Sequence, residues 1–371
     1  MKIEIMNLKG IRMFALICLL AILSCENVSI RDIVGSGGSS GTRFNIETLD
    51  NPVLPEDAAD PSLLDDRERT GYYYLYTTEN GECDIPVYRS KNLVDWEFVG
   101  DAFPDGFQRK WGESWARPWA PDINYINGKY VLYYSMGCWN EPMLSESGVA
   151  VSDSPEGPFA DIDGNPLLNR ENCRVFNPID VSFFDDGEKK YIFWGSYKLS
   201  DDPSVDYGIY AIEVTDDGLA IKEGASKVKV AGNQIEGTMV TKKDGWYYLF
   251  ASTGQTLAGT SSDYRVVVGR SDNILGPYAG PDGTPMLDND GYNNYILSGD
   301  GSTFFGTGHN SGIVTDDAGQ SWMVYHTLWT GNNLSVRVVC LDRIIWTDGW
   351  PSLVTGHPVT DGTGPMFKIN L

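Results

Sequence analysis

The stretch NQIEGTMVTKKDGWYYLFAS, from Asn233 to Ser252, holds the repeating unit of this chain in a short form. One acid, Glu236, sits between Ile235 and Gly237. A polar turn follows, Lys242-Lys243-Asp244-Gly245, and then an aromatic run, Trp246-Tyr247-Tyr248-Leu249-Phe250. A Gly-containing turn ahead of an aromatic-rich run marks a hairpin and its second strand.

The aromatic run recurs. The other copies are Gly71-Tyr72-Tyr73-Tyr74-Leu75-Tyr76, Gly128-Lys129-Tyr130-Val131-Leu132-Tyr133-Tyr134, Lys189-Lys190-Tyr191-Ile192-Phe193-Trp194 and Gly319-Gln320-Ser321-Trp322-Met323-Val324-Tyr325. Successive copies lie about 55 to 75 residues apart, the scale of a four-stranded propeller blade. A second element follows in phase. Ser90-Lys91-Asn92-Leu93 leads to Trp96, Ser152-Asp153-Ser154 leads to Gly157-Pro158-Phe159, and Ser271-Asp272-Asn273 leads to Gly276-Pro277-Tyr278. Each is a strand end, a polar turn and an aromatic able to pack on the next strand. No helical period intervenes, and the 41 Gly and 19 Pro are spread as turn punctuation. The pattern predicts an all-β fold, a five-bladed β-propeller forming one domain over residues 44–371. A pair of packed sheets is the alternative.

The N-terminus is set apart from the fold. Lys9 and Arg12 precede an apolar run, Met13 to Leu23, that ends Ser24-Cys25. Residues 1–24 read as a lipoprotein signal peptide, with Cys25 as the lipidated first residue of an exported bacterial lipoprotein. An ordinary cleaved signal is the alternative. Residues 25–43, with Gly35-Ser36-Gly37-Gly38-Ser39-Ser40-Gly41, read as a flexible tether. A lipid anchor is then the expected membrane contact, at the outer membrane, cell surface or periplasmic face.

With 51 Asp and Glu against 28 Lys and Arg, the formal charge is −23. Such a surface repels phosphate backbones, which argues against a nucleic-acid partner and suits a neutral ligand. Without Cys18 and Cys25, four cysteines remain, Cys83, Cys138, Cys173 and Cys340, and sequence does not pair them. There is no CxxC and there are three histidines, so a Cys/His zinc site is not expected.

In a propeller the innermost strands converge at one mouth of a central channel. A functional residue therefore belongs on the strand ahead of the aromatic one, at one phase in several blades. Asp60 precedes the first aromatic strand by about a dozen residues; Asp180 and Glu236 precede the third and fourth by about eleven. Asp122 has the same apparent phase in the second blade. Apolar flanks predict desolvated carboxyls with raised pKa values, the condition for a general acid. Blade turns are also rich in Asp, so any one of these acids alone has a structural reading.

At these residues the chain resembles glycoside hydrolase family 43, and within it the endo-acting α-1,5-arabinanases. The matching pieces are ADPSLL from Ala59, WAPDI from Trp119, FNPIDVSFF from Phe176, IEGTMV from Ile235, GHNSGIVTDDAG from Gly308 and DRIIWTDGWP from Asp342, in order along everything after the tether. The resemblance implies a five-bladed catalytic propeller and hydrolysis with inversion. It implies Asp60 as general base, Glu236 as general acid and Asp180 as the acid that orients Glu236 and tunes its pKa. Val181 stands where the family often has Pro. His309 matches a residue facing a channel metal ion, usually calcium, with a core-bonded His as the alternative. Arg337 matches an arginine that hydrogen-bonds substrate hydroxyls, with a structural salt bridge as the alternative. Trp119, Trp139 and Asn177 are the further substrate-binding candidates, and Trp139 suits core packing equally. The chemistry needs no cofactor.

The expected activity is cleavage of α-L-arabinofuranosidic linkages in plant arabinan, by endo-1,5 action, on a neutral arabinose- or xylose-containing polysaccharide or oligosaccharide. An exo-acting arabinofuranosidase or β-xylosidase is the alternative within the family. A glycan-binding propeller without catalysis is the alternative outside it.

Overall fold

Why an aromatic strand should show no polar alternation is answered by what lies on its two faces. In the first copy Tyr73 and Leu75 pack into one cluster with Trp322 and Val324 from the end of the chain. Their neighbours Tyr74 and Tyr76 pack on Leu132 and Tyr134 of the next copy. In the fourth copy Tyr247 and Leu249 face Phe193, whereas Tyr248 and Phe250 face Met323 and Tyr325. Successive side chains of a strand point to opposite faces, so a sheet packed on both sides is apolar throughout. Tyr73, Tyr76, Tyr133, Trp194, Phe250, Trp322 and Tyr325 are fully buried. Each such ring contributes about 2–3 kcal/mol of apolar burial.

The computed structural model describes residues 42–369, apart from 109–110, 112–115, 138–144, 163, 199–205 and 289–291. Its sheets are antiparallel blades taken in chain order. Blade 1 comprises Ser62–Asp65, Tyr73–Tyr76, Pro86–Ser90 and Glu97–Asp101. Blade 2 comprises Pro118–Ile126, Lys129–Met136, Glu146–Ser152 and Ala160–Asp161. Blade 3 comprises Ser182–Asp185, Lys190–Ser196, Gly208–Val214 and Val228–Ala231. Blade 4 comprises Glu236–Lys243, Trp246–Thr253, Arg265–Ser271 and Tyr295–Ser298. Blade 5 comprises Phe304–Gly308, Ser321–Trp329, Arg337–Thr347 and Trp350–Leu353, and the short strand Val314–Thr315 also pairs with Ser321–Trp329. The protein is thus a five-bladed β-propeller, and the aromatic run is the second strand of every blade. Residues Phe44–Asn370 form one compact unit. Two four-residue helices, Arg67–Thr70 and Arg170–Cys173, are the α-helices among the described residues.

The second sequence element closes the blades as its composition suggests. Phe159 donates its N–H to Ala102 O of blade 1. Tyr278 is fully buried and bonds Ile274 O, and Trp96 bonds Leu93 O.

The ring is sealed by the two ends of the unit. Phe44–Asp50 pairs antiparallel with Asp361–Lys368. Beyond it, Leu54 and Val339 exchange backbone hydrogen bonds, and Ala58 N–H reaches Arg337 O at 2.9 Å. Buried Asn51 donates to Leu341 O and Val359 O and accepts from Leu341 N–H, each at 2.9 Å. The segment carrying Asp60 is thereby stitched to blade 5 before blade 1 begins.

Among the described residues Cys83, Cys173 and Cys340 are free thiols. Cys138, Trp139 and the leader with Cys25 lie outside the described residues. No helix of the described residues is long and apolar enough to cross a membrane.

Candidate active site

Each inner strand has one residue with left-handed backbone within it or beside one of its ends. These residues are Asp60 (φ 52°), Ala120 (φ 45°), Asp180 (φ 54°), Gly237 (φ 59°) and His309 (φ 49°), one per blade. For the non-glycine residues this conformation costs of order 1 kcal/mol and persists only where surrounding contacts fix it. The fixing contacts repeat as well. Two residues past the last common aromatic of each second strand stands a hydroxyl, at Thr78, Ser135, Ser196 and Ser252. Thr78 Oγ1 accepts the N–H of Ala120 at 2.9 Å, Ser135 Oγ that of Asp180 at 2.9 Å, and Ser252 Oγ that of His309 at 2.8 Å. In blade 5 the same service falls to a ring: His326 Nδ1 accepts the N–H of Asp60 at 3.1 Å.

Blade 3 departs from the pattern. Ser196 Oγ donates not to backbone but to Glu236 Oε2, at 3.1 Å. The N–H of Gly237 goes to Asp180 Oδ2 at 3.1 Å. Two carboxylates are thus inserted where the other blades use a hydroxyl–backbone latch. Gly237 has a further reason to be glycine, since a Cβ there would lie 3.1 Å from the His309 ring.

The mouth brings Asp60, Asp180, Glu236, His309 and Arg337 together. Trp119 stands one residue ahead of Ala120, half-buried, with its Nε1–H aimed at Gly137 O at 3.4 Å. Asn177 lies three residues ahead of Asp180 in the chain. It is buried, and neither polar side-chain atom has a partner among the described residues. Asp122 corrects the sequence reading of its phase. The equivalent position in blade 2 is Ala120; Asp122 lies two residues further along, inside the channel. There it accepts from Phe183 N–H and Asn124 Nδ2, at 2.8 and 2.7 Å, and burial pushes its pKa up to about 7.

Electrostatics divides the acids. Around Asp60, burial works to raise the pKa. Arg337, and then His309, outweigh it and hold the carboxyl well below the usual range. Arg337 Nη1 and His309 Nδ1 each stand 3.1 Å from Oδ1, and Thr78 Oγ1 donates to Oδ2 at 2.6 Å. Apolar flanks had predicted a raised value here. The cations responsible come from blade 5 and are remote in sequence. Burial also works against the charge of His309, yet Asp60, followed by Asp180 and Glu236, pushes it up to about 9. His326 stays neutral, lowered to about 4 chiefly by burial. Its Nδ1 also lies 3.2 Å from Asp60 Oδ1. A neutral nitrogen already accepting the Asp60 N–H has no proton to give there, so this contact is not an ion pair.

Glu236 shows the opposite balance. Burial first, and then the Asp180 charge, push its pKa up to about 7. Its bonds to Ser196 and to Tyr264 OH, at 2.8 Å, work the other way without prevailing. Burial also raises Asp180, to about 6, with His309 opposing and Asp60 adding to the rise. Between about pH 6 and about pH 7 the mouth therefore presents Asp60 and Asp180 as carboxylates and Glu236 as a protonated carboxyl, the division of labour of acid–base hydrolysis. Beside Glu236 opens a cleft of about 850 Å³ lined by Tyr197, Gln234, Thr256, Leu257, Tyr264 and Arg265.

A model of the family Glycosyl hydrolases family 43 matches residues 49–351. The chain belongs to this family. Among its family relatives, an extracellular exo-α-(1→5)-L-arabinofuranosidase of Cellvibrio japonicus (strain Ueda107) is 28% identical over 76% of this chain and 82% of its own length. An extracellular endo-α-(1→5)-L-arabinanase of Bacillus subtilis (strain 168) is 27% identical, over 81% of this chain and 71% of its own. A solved Cellvibrio cellulosa α-L-arabinanase complexed with arabinohexaose superposes with a TM-score of 0.65 at 25% identity, covering 81% of this chain and 96% of that one. Membership makes the protein a glycosidase.

The geometry gives two of the expected residues a partner within the protein. Arg337, expected on substrate hydroxyls, is the ion-pair partner of Asp60. His309, expected to face calcium, directs Nδ1 at Asp60. Calcium takes six to eight oxygen ligands, and no group of three or more His, Cys, Asp or Glu side chains suited to a metal occurs among the described residues. The pocket that His309 lines also carries the oxygen-bearing side chains of Ser62, Asp122, Asp180, Thr238 and Asn310.

Proposed function

We propose that this protein hydrolyses the α-1,5-linked backbone of arabinan, cutting within the chain and inverting the anomeric carbon. The observation that supports this reading most is the pair Asp60 and Glu236 at one channel mouth, the first beside the cations Arg337 and His309 and the second beside hydroxyls and Asp180. Asp60, always ionised, takes a proton from water as that water attacks the anomeric carbon. Glu236 delivers its proton to the departing glycosidic oxygen. Asp180 orients the site by accepting Gly237 N–H and, through its charge, keeps Glu236 protonated. Turnover leaves Asp60 protonated and Glu236 ionised, and exchange with solvent resets both. Inversion requires acid and base roughly 6.5–9.5 Å apart, with room for the water between them. Arg337 and His309 fix the base, and no step runs through a metal.

Arabinan as substrate is supported by the relatives' names, which include both endo and exo action. The test is hydrolysis of linear arabinan followed by proton NMR and product chromatography. A β-configured first product and a ladder of oligosaccharides support the reading. Arabinose alone would mean exo action, and cleavage of xylan in preference to arabinan would overturn the substrate.

Export and a lipid anchor at Cys25 are part of this proposal, carried by the leader sequence. Cys25→Ser should move the protein from the membrane to the soluble fraction of cells. An unchanged membrane fraction contradicts the anchor.

A further inference from the structure

Acid and base sit on blades 4 and 1, which are not adjacent to one another through any shared strand. A pair of stacked rings spans the gap. The Tyr264 and His326 rings lie parallel, 9° apart in plane and 5.7 Å between centroids. Tyr264 OH donates to Glu236 Oε1 at 2.8 Å. His326 Nδ1 accepts the Asp60 N–H at 3.1 Å, and its other nitrogen stands 3.2 Å from Thr256 Oγ1. Since Nδ1 is the acceptor, Nε2 carries the proton and donates to Thr256, whose hydroxyl continues to Gly306 O at 3.3 Å. Tyr264 is 2% exposed and His326 0%. Gly308 leaves them the space: a Cβ there would come within 2.4 Å of the Tyr264 ring.

We propose that Tyr264 and His326 are positioning residues that hold the general acid and the general base as one rigid unit through their stacked rings. This rests on the reading of Glu236 as acid and Asp60 as base. Neither ring needs to touch substrate for the effect. Tyr264 fixes the Glu236 carboxyl directly and His326 fixes the Asp60 backbone that carries the other, and placement of such groups within about 1 Å governs the rate. The Tyr264 hydroxyl has a second effect, because it bonds the ionised form of Glu236 better than the protonated one. The groups facing Glu236 are Asp180 from blade 3, Tyr197 at the end of the second strand of that blade, His309 from blade 5, and Tyr264 itself. All but Tyr264 remain in the variant that tests it.

Tyr264→Phe keeps the ring and removes the hydroxyl. On arabinan kcat should fall about 10-fold, with little change in KM, and the alkaline limb of kcat/KM should move up by about one pH unit, the equivalent of one lost hydrogen bond. On a 2,4-dinitrophenyl arabinofuranoside, whose leaving group needs no proton, the variant should match the parent. His326→Gln, which keeps an acceptor for the Asp60 N–H but loses the stack, should lose about 10-fold on both substrates. An unmoved alkaline limb in Tyr264→Phe, or equal losses on both substrates, would overturn the proposal. A parent protein inactive on both substrates would instead overturn the functional reading beneath it.

Discussion

The two halves of the channel mouth are built alike and charged in opposite ways. On the blade 1 side, Asp60 enters its strand through a left-handed residue and faces Arg337 and His309. On the blade 4 side, Glu236 stands one residue ahead of the equivalent left-handed position, Gly237, and faces hydroxyls and another carboxylate. Burial is common to both and pushes both pKa values up. The outcome is decided by what each carboxyl meets. A paired buried carboxylate is held ionised, and an unpaired one keeps its proton. The propeller repeat supplies positions, and blade-specific partners supply the chemistry.

Substitution of the acids themselves should break the comparison most. Glu236→Gln is expected to lose at least about 10³-fold on arabinan, the usual scale for a general acid, while retaining most activity on a 2,4-dinitrophenyl arabinofuranoside. Asp60→Asn should lose on both substrates, because water activation is needed whatever leaves. Steady-state kinetics on the two substrates check this, and equal retention by both variants would contradict the roles.

Stability should separate the halves with opposite signs. The folded-state pKa of Glu236 is raised from 4.5 to about 7. The folded protein thus holds this proton longer than the unfolded chain. Its contribution to stability falls as pH rises from about 4.5 to about 7, and the full cost stands above that. A shift of that size is worth about 3 kcal/mol at most, so Glu236→Gln should raise Tm at pH 8 and change it little at pH 4.5. Asp60 is lowered, so its contribution is fully present above the unfolded value of 3.8 and is lost as pH falls through the folded one. Asp60→Asn strands the partly buried Arg337 cation and removes the charge that keeps His309 protonated, and should cost about 3 kcal/mol at pH 8. Calorimetry on both variants reads the two signs directly.

Smaller effects come from the hydroxyl latches. Thr78→Val removes a bond to Asp60 Oδ2 and leaves Ala120 N–H unpaired. The cost should be about 1–3 kcal/mol of stability, with a several-fold loss of kcat. Ser196→Ala removes a bond to the Glu236 carboxylate alone. It should shift the alkaline limb of the pH profile upward by less than about one unit, without the stability loss of Thr78→Val. Thermal melts and pH profiles of the pair distinguish backbone latching from carboxylate tuning.

The fold was legible because the second strands are buried on both faces. That makes runs such as Tyr130-Val131-Leu132-Tyr133-Tyr134 aromatic or aliphatic at every position, a pattern that repeats in each blade. The acids were legible through their spacing from these runs, which located Asp60, Asp180 and Glu236 but placed Asp122 two residues out of register. Spacing counts residues and does not show the bulge where the ladder of blade 2 breaks between Trp119 and Asp122. The latches also left a trace, a Ser or Thr two residues beyond Tyr76, Tyr133, Trp194 and Phe250, which goes unnoticed when acids alone are compared. The charge state of Asp60 was not legible. Arg337 lies 277 positions away and His309 in another blade, and local composition carries no sign of either. Tyr264 and His326 are likewise joined only by the fold.

The central claim is that one mouth holds a permanent carboxylate and a protonated carboxyl. It is tested most directly by carboxyl carbon-13 NMR titration of the protein, with Asp60→Asn and Glu236→Gln used to assign the two signals. Glu236 should titrate near pH 7, while Asp60 should stay ionised to below the ordinary carboxylate range. Titration of both near pH 4, or of Asp60 above Glu236, would contradict the account.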